Sequence, residues 1–134
     1  MTMQKARIIL LLAIVALSFI ALASGASYLE TPLPGGIPLG NALAAVGLCG
    51  LPGLARLLSP PDTVVRKASL ISFLAAAAWL PVSIALAGNL ELSFGGGRGT
   101  AWVAITLGTM LASVTCLVWA LIALFFGRPR AGAA

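Results

Sequence analysis

The sequence predicts an all-α fold, an integral membrane four-helix bundle with both termini cytoplasmic. Three observations carry this reading. Hydrophobic residues make up 60% of the 134-residue chain and charged residues only 8%, against about 25% charged in an ordinary soluble domain. The charges leave four long uncharged stretches: 22 residues between Arg7 and Glu30, 25 between Glu30 and Arg56, 23 between Lys67 and Glu91, and 29 between Arg98 and Arg128. A hydrocarbon core about 30 Å thick takes about 20 helical residues to cross, so each stretch is long enough. The basic residues are also one-sided. Lys5, Arg7, Arg56, Arg66, Lys67, Arg128 and Arg130 fall on one side of a four-span chain, and Arg98 stands alone on the other with Glu30 and Glu91. Lys and Arg are retained in the cytoplasm, and an even number of spans puts both termini there.

Residues 1–134 therefore read as a single transmembrane domain. Span 1 covers approximately residues 7–27, with the apolar run Ile8 to Ala23 at its centre. A cleaved signal peptide is the rival reading, because Lys5 and Arg7 precede the run and small residues follow it at Ala21 to Ala26. The run is longer than the 7–15 residues of a signal peptide's apolar region, so a retained helix is expected. Pro32, Pro34, Gly35 and Gly36 mark the first connection as a turn, with Tyr28 placed as an interfacial anchor. Span 2, approximately 37–58, is the least hydrophobic and contains Pro52. Pro60 and Pro61 stop it, and Asp62 or Thr63 can cap the next helix. Span 3, approximately 68–88, contains Pro81. Each internal proline removes a backbone donor and clashes with the carbonyl four residues back, so a bend is expected in both helices. The third connection ends in the flexible tip Gly95 to Gly99, and span 4 follows at approximately 100–126.

Composition narrows the function classes. The net charge is +5 and the pI near 10.3, but the basic residues are scattered, so membrane orientation explains them better than nucleic acid does. The absence of histidine removes the commonest ligand for haem, copper and zinc and the usual neutral-pH proton shuttle. Cys49 and Cys116 alone make an incomplete metal site. No span interior carries an ionisable residue, the usual mark of ion or proton transport. No cofactor, no metal and no catalytic residues are expected, and the chain does not read as an enzyme.

What remains is packing. Ala104, Gly108, Ala112, Cys116 and Ala120 recur every fourth residue in span 4, and small side chains let helix backbones approach closely in lipid. Gly40, Ala44 and Gly47 form a second row in span 2, with Gly50 and Gly53 beyond. These rows either pack the four helices together or form an interface with another chain. Asn41, Thr106, Thr109 and Ser113 are the candidate polar path, and Arg98 at the start of span 4 is a candidate contact for an anion or lipid headgroup. The expectation is a small non-catalytic membrane subunit in the bilayer, packing laterally against other membrane subunits or as a homo-oligomer. The alternative is a small oligomeric transporter or channel for an uncharged or weakly polar solute. A multi-pass place in the cell membrane follows from the spans, and a bacterial inner membrane is the expected one.

Overall fold

The computed structural model describes residues 2–127. Its helices are α1 (Met3–Ala23), α2 (Leu39–Leu58), α3 (Val64–Ala87) and α4 (Gly97–Phe126), with one 3-10 turn, Ser27–Glu30, after α1. All four are long and apolar enough to cross a membrane, which suggests a multi-pass membrane protein. Their outward faces carry Ile9, Leu10, Leu17, Ile71, Leu74, Leu107, Leu111 and Phe125, all exposed. A soluble monomer rarely leaves so large an apolar surface uncovered; lipid covers it without cost. The expected charges Arg128 and Arg130 lie outside the described residues.

The helix ends differ from the sequence reading by a few residues, each for a local reason. α1 stops at Ala23 rather than near residue 27, because the chain turns at Ser24 and Gly25 takes a left-handed φ of 59°. α3 starts at Val64 rather than 68, because the Thr63 hydroxyl accepts the Arg66 backbone N–H at 3.3 Å and caps the helix. Helix α4 starts at Gly97, so Arg98 and Gly99 lie in its first turn rather than in a free loop tip. Both α2 and α3 run through their internal prolines without interruption.

α2 is the hub, packing against α1, α3 and α4. Its face toward α1 is a glycine notch. Gly47, Gly50 and Gly53 meet Phe19, Val15 and Leu11. A methyl group on Gly47 would stand 3.1 Å from the Phe19 ring, one on Gly53 would stand 3.3 Å from Leu11, and one on Gly50 would collide with Val15. In lipid, where no hydrophobic force pulls helices together, this close fit is what holds α1. At the foot of the same interface, Gln4 Nε2 donates to the Leu57 carbonyl at 3.3 Å.

α3 and α4 are joined instead by hydrogen bonds at three depths. Ser72 and Ser113 share one at 3.3 Å, Trp79 Nε1 donates to Thr106 Oγ1 at 2.9 Å, and Trp102 Nε1 donates to Ser83 Oγ at 3.1 Å. The steps from Ser72 to Trp79 to Ser83 match those from Ser113 to Thr106 to Trp102 in reverse, so one antiparallel register serves all three. Each bond satisfies groups that lipid would leave unpaired, and such bonds average about 0.6 kcal/mol in membrane bundles.

The end of the bundle that carries the termini is closed by two arginines. Arg66 Nη1 donates to the carbonyls of Arg56 (3.3 Å) and Ser59 (3.1 Å), and Arg56 Nη1 donates to the Arg66 carbonyl (3.3 Å). Carbonyls at a helix C-terminus lack partners within the helix, and Arg66 supplies them. Arg66→Ala is expected to lower stability by about 1 kcal/mol, and Arg66→Lys to restore only part, since a single ammonium cannot reproduce the guanidinium fork. Thermal unfolding in detergent measures both.

Candidate functional site

At the end of the bundle where α1 stops and α4 starts lies a cleft of about 840 Å3. Phe19 and Leu22 of α1 form one wall, Trp102, Thr106 and Met110 of α4 the other, and Asn41, Ala44 and Leu48 of α2 the back. Its volume falls in the range of about 300–1,000 Å3 typical of small-molecule sites. Two of its lining residues, Leu48 and Trp79, pack with Ala76, and two further clusters fill the interior, one around Val15, Leu51 and Leu54 and one around Ala55, Val65, Cys116 and Ala120.

Both interhelical connections at this end fold over the cleft. In the first, Leu33 N–H donates to the Ile37 carbonyl at 2.8 Å and Leu39 N–H to the Thr31 carbonyl at 2.9 Å, so the segment doubles back on itself. Gly35 and Gly36, at φ values of 101° and 87°, make the reversal, which ordinary L-residues adopt only with strain. In the second, Asn89 Nδ2 donates to the Ser93 carbonyl at 2.8 Å and its Oδ1 accepts the Ser93 N–H at 2.9 Å. Asn41 Nδ2 reaches across from α2 to the Leu90 carbonyl at 3.2 Å. This bond ties the second connection to the hub helix. Asn41→Ala is expected to loosen this connection alone, seen as faster amide hydrogen exchange over residues 89–94 with the helices unchanged.

Three aromatic rings brace the α3–α4 side. Phe94 stacks on Trp102 with centroids 5.1 Å apart, and Trp102 meets Trp79 at 6.4 Å. Both indole N–H groups are held by the Ser83 and Thr106 hydroxyls, so the rings are fixed in place. The lining also includes Glu30 and Glu91, the only two glutamates in the sequence, which come from different connections and are both exposed. Among the described residues no Lys or Arg lines the cleft.

The residues singled out from the sequence take several places. Asn41 and Thr106 line the cleft. Thr109 instead turns back on its own helix, donating to the Ile105 carbonyl at 2.8 Å, and Ser113 is buried against Ser72. In the span 2 row, Gly40 packs on Leu29, Ala44 lines the cleft and Gly47 faces Phe19. The span 4 row divides: Cys116 and Ala120 are buried in the bundle, whereas Ala104, Gly108 and Ala112 are exposed, and nothing lies within 4 Å of a methyl group built on Gly108. Cys49 and Cys116 are both free thiols. Arg98 is exposed in the first turn of α4. Sequence reasoning did not assign Phe19, Trp79, Trp102, Glu30 or Glu91 to a site. The signal that could have found the glutamates is that both fall in connections on the same side. Comparison with protein-family models, curated proteins and solved structures finds no match to this chain.

Proposed function

We propose that this protein is a small, non-catalytic membrane subunit that associates laterally, through the outer half of α4, with a transmembrane helix of a neighbouring subunit or a second copy. The observation that supports this reading is the division of the small-residue row. Where the row meets its own bundle, Cys116 and Ala120 are covered; where it continues as Ala104, Gly108 and Ala112, the same backbone-exposing pattern has no helix against it. Small residues contribute little by facing lipid, but they let a second backbone come close. The non-catalytic part of the proposal rests on the groups at the cleft wall: an amide, a hydroxyl and two rim carboxylates suit recognition better than bond-making.

Gly108→Leu tests the interface. Gly108 touches nothing in its own bundle, so the variant is expected to keep the fold and thermal stability of the wild type while losing its partner by at least tenfold in affinity. Unchanged association with Gly108→Leu would rule out this face.

The orientation that fits is both termini in the cytoplasm, in a cell membrane of bacterial inner-membrane type. It rests on Lys5, Arg7, Arg56, Arg66 and Lys67 at one end of the bundle against Arg98 at the other. A green-fluorescent-protein fusion at the C-terminus is expected to fluoresce and an alkaline-phosphatase fusion to be inactive; the reverse pair would invert the orientation.

The cleft favours a second reading, that of a solute-handling protein, because Asn41 and Thr106 lie in its wall.

A further inference from the structure

We infer that the cleft between α1 and α4 binds a lipophilic organic cation, one with a single positive charge on an apolar or aromatic body. This goes beyond the lateral-association reading and does not depend on it.

Three features of the cleft converge. Its rim is anionic: of the three acidic residues in a chain of net charge +5, both glutamates stand at this one opening. They come from connections 61 positions apart in sequence, so only the fold places both on one cleft. Among the described residues no basic side chain lines the cleft to neutralise them. Second, the wall is aromatic. Phe19, Trp102 and the largely buried Trp79 are among its lining residues, and the ring quadrupole attracts cations, tryptophan most strongly. The indoles are anchored by Ser83 and Thr106, so little ordering is needed when a ligand arrives. Third, the free polar function in the back wall is an acceptor. Asn41 commits its Nδ2 to the Leu90 carbonyl, which leaves its Oδ1 for a donor or a positive charge.

Other occupants fit less well. An anion meets two carboxylates and no base. A bare metal ion needs several converging oxygen or nitrogen ligands, whereas the cleft below the rim is mostly apolar side chain. An uncharged apolar molecule fills the volume but gives the glutamates no role. A cation with an apolar body uses the carboxylates, the rings and the volume together.

Two of the protein's three tryptophans, Trp79 and Trp102, are in the cleft; the third, Trp119, is exposed near the other end of α4. Trp119→Phe therefore makes indole fluorescence a report on the cleft. The full-length Trp119→Phe protein in nanodiscs is titrated with tetraphenylphosphonium and separately with tetraphenylborate, its negatively charged counterpart of nearly the same size. The expected result is a saturable fluorescence change with the phosphonium, whose half-saturation rises about tenfold when Glu30→Gln and Glu91→Gln are added, while the response to the borate is not weakened. Both glutamates are exposed, so the amides are expected to leave the helical circular dichroism unchanged. A linear, non-saturating change equal in both proteins would mean partition into lipid alone, and a saturable change indifferent to the two substitutions would mean that the rim does not select cations. Either result overturns the inference.

Discussion

Gly50→Leu is expected to separate α1 from the rest of the bundle. Gly50 sits at the centre of the notch that receives Val15, and even a methyl group there would collide with that side chain. Overpacking a close interface typically costs about 1–3 kcal/mol. Leucine places three more carbons in the same space, and α1 has its principal contact with α2, so no alternative packing absorbs the strain. Unfolding in sodium dodecyl sulfate should begin at clearly lower detergent fraction, with protease sites in α1 exposed first. Gly50→Ala isolates the cause: it should destabilise by about 1–3 kcal/mol, and Val15→Ala added to it should recover much of the loss by vacating the contested volume. A Gly50→Leu protein as stable as the wild type would mean that α1 does not dock in this notch.

Trp79→Ala is expected to be the most damaging change on the α3–α4 side. Trp79 is 3% exposed and packs with Leu48 and Ala76, and its indole N–H holds Thr106. Truncating a buried tryptophan costs about 3–5 kcal/mol. The lower part of that range, about 3 kcal/mol, is expected here, because in lipid part of the transfer term is lost while the cavity term remains. Trp79→Phe separates the two contributions: it keeps most of the volume and removes the bond, so the loss should be near the 0.6 kcal/mol average for interhelical bonds in membranes. Reversible unfolding in mixed micelles gives both values. If alanine and phenylalanine were equally harmful, the hydrogen bond rather than packing would dominate.

These two predictions also show which parts of the molecule were legible in the sequence. The four helices follow from charge-free stretches, because a long apolar run in a chain with few charges has little choice but to be a helix in lipid. Their ends do not, because ends depend on single local contacts such as the Thr63 cap or the left-handed Gly25. The small-residue rows were visible as periodicity, but which helix each row meets is a property of the bundle. Gly40, Ala44 and Gly47 look alike in sequence, yet Gly40 and Ala44 line the cleft, Gly40 against Leu29, whereas Gly47 receives Phe19. The tight row is instead Gly47, Gly50 and Gly53, at a spacing of three. In the cleft, Asn41 and Thr106 stood out as polar residues within apolar spans. Glu30 and Glu91 did not, since a charge in a connection is ordinarily just solvated, and nothing in one dimension says that two connections converge. Trp79 and Trp102 find their partners, Thr106 and Ser83, on the facing helix, which no local pattern announces.

Native mass spectrometry reads lateral association through the outer half of α4 without intermediate steps. The wild-type protein and Gly108→Leu are extracted from the same membranes into nanodiscs and weighed intact. The expected wild-type mass includes a further polypeptide or additional copies of the chain, and the expected Gly108→Leu mass is that of the single chain with its fold intact. A wild-type protein that is a lone monomer, or a complex that survives Gly108→Leu unchanged, would contradict it.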